Sequence, residues 1–171
     1  MRKMVFVLIM VAFAFTDMMA VQGMTVNPYI GVGIQRYSPT WVVAYLRLDV
    51  GAELRQEAWA ISGEVSYLTG KGDNEWGDLI NTSTHFSLEG KHYFNSFNLG
   101  IGFFWGNHKT DYEDYGAPEM KVSGFEIIGG IPLSEKTTLK ARVGKEKMVG
   151  ENVAHEKYII YSISFHWHPF R

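Results

Sequence analysis

From residue 24 onward the sequence alternates apolar residues with polar or small ones, and no helix-length stretch carries a 3.6-residue period. A period of two is the strand signature, because successive side chains of a strand point to opposite faces. Eight such segments follow one another along the chain. One runs Trp59, Ile61, Gly63, Val65, Tyr67 on one face and Ala58, Ala60, Ser62, Glu64, Ser66 on the other. Another sets Phe97, Leu99, Ile101, Phe103, Trp105 against Asn98, Gly100, Gly102, Phe104, Gly106, His108, and the last sets Ile159, Tyr161, Ile163, Phe165, Trp167 against Tyr158, Ile160, Ser162, Ser164, His166, His168. The remaining five follow the same rule with more interruptions. Their apolar rows are built on Ile30 and Val32, Leu46 and Leu48, Phe86 and Leu88, Phe125 and Ile127, and Leu139 and Val143.

Alternation alone leaves open which face is inside. A soluble eight-stranded ligand-binding barrel has the apolar row inward; a membrane barrel has it outward. Three features favour the membrane arrangement. The polar rows are rich in Gly and Ser, which suit the narrow bore of an eight-stranded barrel. Aromatics bracket the aliphatics, as Trp59 and Tyr67 or Phe97 and Trp105 do, in the manner of the two interfacial girdles. Charge is nearly absent from the apolar rows. The expected fold is therefore all-β: an eight-stranded antiparallel up-and-down transmembrane β-barrel.

Composition narrows the function. The 171 residues suffice for one domain. A net charge of −2 excludes the basic excess of a nucleic-acid binder. The absence of cysteine removes disulfides, thiolate metal sites and a cysteine nucleophile. Arg2 and Lys3 followed by the apolar run 4–15 read as a signal peptide over residues 1–23, since such a run is shorter than the ~20 residues that span a bilayer. Residues 24–171 are then the barrel domain. Connections after even strands are short, near 56–57, 95–96 and 132–136. Those after strands 3 and 5 read as long loops, 69–83 and 107–119, with 149–156 intermediate and 38–40 short. Short periplasmic turns opposite longer outer loops would put both termini in the periplasm. The expected location is the outer membrane, the expected surroundings its lipid and lipopolysaccharide, and the expected state a monomer.

With these rows in view, the chain resembles the small eight-stranded outer-membrane barrels typified by the transmembrane domain of outer-membrane protein A. The resemblance spans residues 24–170 and is architectural. The row Ile159, Tyr161, Ile163, Phe165, Trp167 fits the lipid-facing, aromatic-ended final strand of that class. In length and layout the chain is also similar to the lipid A 3-O-deacylases, which use a His-x-Ser pair and an acid. The corresponding segment here, 140–146, holds neither His nor Ser, so those catalytic residues do not carry over.

Four constellations bear on chemistry. His85, Ser87 and Glu89 share one strand face, the arrangement closest to a nucleophile with its base and orienting acid. Parallel side chains about 7 Å apart along a strand suit lumen filling better than a triad. His166 and His168 form a His-x-His pair, but two ligands do not complete a metal site. The lumen row carries charges of both signs: Arg47, Asp49, Glu53, Arg55, Glu64, Glu89, Lys91, Glu126, Lys140, Arg142 and Glu146. These should pair into a rigid plug with no open pore, because unpaired buried charge is costly. Finally, the acidic, aromatic loops offer Trp76, Asp111, Tyr112, Glu113, Asp114 and Tyr115 as partner-binding residues, with Ca²⁺ capture as the competing use of the acids. No cofactor is expected. The expected role is structural, adhesive or receptor-like through the outer loops; the alternative is an acyl hydrolase acting on lipid A.

Overall fold

The computed structural model describes residues 23–38, 44–74, 77–112, 119–150 and 153–169. These form eight strands: β1 (Thr25–Ser38), β2 (Ala44–Gln56), β3 (Trp59–Asn74), β4 (Gly77–Tyr93), β5 (Asn98–Tyr112), β6 (Glu119–Pro132), β7 (Thr137–Gly150) and β8 (Val153–Trp167). Each pairs antiparallel with its neighbours in sequence, and β8 closes onto β1. The expected signal segment lies outside the described residues except for Gly23.

Burial settles the faces in the arrangement that the glycine, aromatic and charge patterns favour. Ile101 is 72% exposed, Ile127 62% and Trp59 65%, whereas Arg47, Asp49, Glu64, Glu89, Lys140 and Arg142 are all buried. Apolar side chains face out and charges face in, the reverse of a soluble ligand-binding barrel. An exterior of this kind matches hydrocarbon, and a closed barrel leaves no strand edge unpaired within it. Aromatics gather at both rims. At the end that carries the short turns, Phe94 stacks on Phe97 with centroids 4.6 Å apart, and Trp59 meets His92 edge-on at 4.5 Å. At the other end Phe86 stacks on Trp105 at 6.3 Å.

The connections differ from expectation. The described parts of 69–83 and 107–119 are strand, not loop. β3 continues to Asn74 and β4 restarts at Gly77, pairing through Asn74↔Gly77, while β5 runs to Tyr112 beside Leu79. β6 likewise begins at Glu119 and β8 at Val153. Antiparallel partners satisfy each other's backbone groups, so these strands persist above the apolar belt as a three-stranded extension of β3, β4 and β5. At the opposite end β2 turns into β3 through Glu57 and Ala58, with Glu57 at φ 52°. Both ends of the described barrel lie at this short-turn end.

Candidate functional site

The bore is filled by two layers. The central layer is ionic and crosses the barrel. Glu64 on β3 accepts hydrogen bonds from Arg142 Nη2 at 2.5 and 2.7 Å and from Lys140 Nζ at 3.1 Å, both on β7. In a ring of eight strands β3 and β7 stand diametrically opposed, so these bonds span the bore. Arg47 adds a bond to Glu64 at 2.8 Å and one to Asp49 at 2.7 Å, and Tyr29 donates to Glu64 at 3.0 Å. Glu89 takes Lys140 at 2.6 Å, Lys91 at 3.0 Å and the Ser62 hydroxyl at 2.9 Å. Lys91 continues to Glu53, which also accepts from Tyr93 at 2.7 Å. Multiple charge-assisted bonds to each ion offset the desolvation that burial imposes.

The second layer lies toward the extended hairpins and is apolar. Tyr37, Tyr45, Leu68, Phe104, Val122, Met148 and Ile160 pack together inside the barrel. Tyr37 and Tyr45 meet edge-on at 5.0 Å, and the His85 ring stacks on Phe104 at 5.1 Å. Tyr45, Phe104 and Ile160 already fall in the inward rows of the sequence pattern. Tyr37, Leu68, Val122 and Met148 are placed at lumen parity by the register of β1, β3, β6 and β7.

The structure does not gather His85, Ser87 and Glu89 into a working unit. His85 Nε2 lies 2.8 Å from Ser83 Oγ, which itself donates to the Asn107 carbonyl at 3.0 Å, while Glu89 is held by Lys140, Lys91 and Ser62. Among the described residues Ser87 bonds to neither. A second serine–histidine–acid grouping, Ser164–His166–Asp49, is present and was not legible as such in the sequence. Ser164 Oγ lies 2.9 Å and Asp49 Oδ2 3.1 Å from the same ring atom, His166 Nε2. A nucleophile and its orienting acid must engage opposite ring nitrogens for the imidazole to relay a proton. This grouping is also sealed in the bore, at 0–2% exposure.

The pair His166 and His168 points inward, beside Tyr29 at 4.8 and 5.6 Å. Asp49, Glu64 and His166 bring one ligand atom each within 4.8 Å of one another. The guanidinium groups of Arg47 and Arg142 already supply positive charge there, with Arg142 Nη1 3.5 Å from Asp49. That donor set is therefore an ion-pair cage. Arg55, placed with the lumen charges by parity, sits half-buried at the short-turn mouth with its guanidinium 4.0 Å above the Tyr93 ring. Of the expected partner-binding residues, the backbones of Asp111 and Tyr112 end β5, and Trp76, Glu113, Asp114 and Tyr115 lie outside the described residues.

A closed eight-stranded antiparallel barrel with an apolar exterior and an ionic bore defines a small transmembrane barrel of the outer-membrane type. Among solved structures it is similar to Neisserial surface protein A (NspA), with a TM-score of 0.57 and 10% identity over 86% of this chain and 97% of that one. The N-terminal β-barrel domain of Pseudomonas aeruginosa OprF is a further match, with a TM-score of 0.42 and 10% identity over 82% of this chain and 97% of that one. No protein-family model matches the sequence, and no curated protein matches it.

Proposed function

We propose that the protein is a non-conducting outer-membrane barrel with a structural, adhesive or receptor role exerted through its extended hairpins, its termini facing the periplasm. The cross-bore pairing of Glu64 with Arg142 and Lys140 carries this reading, since ions fixed across the diameter leave no continuous aqueous path. The extension of β3, β4 and β5 above the belt supports a role in contact with other surfaces. At about 3.4 Å per residue a strand pair of this length stands well clear of the membrane. Trp76, Tyr112 and Tyr115 are the proposed contact residues, with Asp111, Glu113 and Asp114 setting an acidic surround. The alternative, an acyl hydrolase acting on lipid A, needs a serine, a histidine and an acid at a lipid-accessible groove. The described serine–histidine contacts are enclosed in the bore.

Two measurements test the reading. Reconstituted into planar bilayers, the protein should give no discrete conductance steps, while Arg142→Ala combined with Lys140→Ala should open measurable ones. Replacing residues 70–80 by a two-residue turn should leave assembly intact and abolish adherence of expressing cells to host or abiotic surfaces. Channel activity in the unaltered protein, or adherence unchanged by the shortened hairpin, would overturn it.

A further inference from the structure

One side of the outer wall becomes cationic just above the apolar belt. Lys121 on β6, Lys145 and Lys147 on β7, and Lys157 on β8 are all exposed. They continue the outward rows that carry Phe125, Val143 and Ile159 nearer the barrel centre. Register makes them a single patch. Lys147 lies directly opposite Lys157; Lys145 opposes Ile159, diagonal to Lys157; and Ser123 opposes Lys147, which sets Lys121 on the other diagonal. Opposed side chains stand about 4.5–5.5 Å apart at Cβ and diagonal ones about 7–8 Å, spacings at which like charges destabilise a sheet. All four fall within a Debye length of their neighbours, about 8 Å at physiological salt, so they act on an anion together.

Among the described residues no carboxylate neutralises this patch. Glu146, between Lys145 and Lys147 in sequence, and Glu126 both point into the bore and are buried. The outward-facing Glu119 is in register with Lys109, away from the centre of the patch. Among the described residues none of the four lysines forms an ion pair. The patch lies at the depth where hydrocarbon gives way to head groups, whose anionic groups can supply its counter-charge. Beside the patch a groove of about 410 Å³ is bounded by Phe86, Trp105, Asn107, Lys121, Ser123 and Val149. It joins an aromatic wall to a lysine rim, which suits a ligand with an apolar portion and an anionic head.

We infer that this wall of β6, β7 and β8 binds the phosphate groups of a phosphorylated glycolipid in the leaflet that borders the extended hairpins, with the groove taking an apolar part of the same lipid. This rests on the outer-membrane reading above, which makes that leaflet the outer one. Lysine ammonium groups serve here as point charges for phosphate.

The test uses the full barrel inserted into phosphatidylcholine vesicles doped with bisphosphorylated lipid A. Lipid A retained per barrel after detergent extraction and size exclusion is counted by mass spectrometry. Heat-dependent gel mobility reports folding in every sample. The variant K121Q/K145Q/K147Q/K157Q should insert and fold but retain at least tenfold less lipid A, whereas K71Q/K136Q should retain the unaltered amount. Enzymatically dephosphorylated lipid A should bind the unaltered protein as weakly as intact lipid A binds the quadruple variant. Equal retention by the folded quadruple variant, equal binding of the dephosphorylated lipid, or preference for phosphatidylglycerol over lipid A would overturn the inference while leaving the barrel reading standing. Failure of the unaltered protein to insert would overturn both.

Discussion

Glu64 is the residue on which the interior depends most, since Arg47, Lys140, Arg142 and Tyr29 all converge on it. Removing one partner from a buried ionic cluster leaves the others uncompensated, at a cost of about 3–5 kcal/mol. Glu64→Ala should lower the urea midpoint of the vesicle-inserted protein accordingly, read by tryptophan fluorescence. Pairing Glu64→Leu with Arg142→Met should recover much of the loss, because matched apolar residues carry no desolvation penalty. A double variant less stable than either single one would contradict the cage. The charged positions themselves were legible from parity, most of them alternating with apolar neighbours as Arg47 does with Leu46 and Leu48, while Glu146 between two lysines was placed only by counting along its strand. Their pairing was not, because a bond from Glu64 to Arg142 spans 78 residues and exists only once the barrel has closed. His85, Ser87 and Glu89 likewise looked like a unit along one strand, yet they do not bond to one another: His85 meets Ser83, and Glu89 is held by Lys140, Lys91 and Ser62.

At the scale of elements, strand faces were readable wherever lipid imposes apolarity on alternate positions. The signal stops at the belt's edge. Beyond it, residues such as Lys71, Asn81 and Thr110 alternate between water and bore, both polar, so the strand continues without a hydropathic trace. That is why 69–83 and 107–119 read as loops. The Asn81 side chain accepting from Thr110 at 2.8 Å marks the pairing of β4 with β5 there. Close strand approach explains one glycine in particular. A Cβ at Gly106 would lie 1.8 Å from the Thr84 carbonyl oxygen, whereas one at the outward-facing Gly63 would meet nothing within 4 Å. Gly106→Val should therefore block assembly, seen as loss of the heat-dependent gel shift. Gly63→Val should assemble normally and serve as its control.

The whole molecule inverts the usual soluble order, with its charges inside and its aliphatics outside. Such an order is stable only if the exterior is kept from water, so the identity of the surroundings follows from the exposed rows. Ile101, the most exposed residue of its row at 72%, should lie near the hydrocarbon centre. An Ile101→Arg substitution there should cost about 2–4 kcal/mol of folding free energy in a bilayer, against little at the rims. Equilibrium refolding into vesicles measures it. The chain has no native cysteine, so single-site labelling is unambiguous. The most direct test is to place a spin label at Cys in Ile101→Cys and Ile127→Cys within bilayers and compare relaxation by oxygen with relaxation by a water-soluble nickel chelate. High oxygen and low nickel accessibility at both sites is the predicted result. Nickel accessibility at either site matching that of an exposed hairpin position would contradict a lipid-facing exterior.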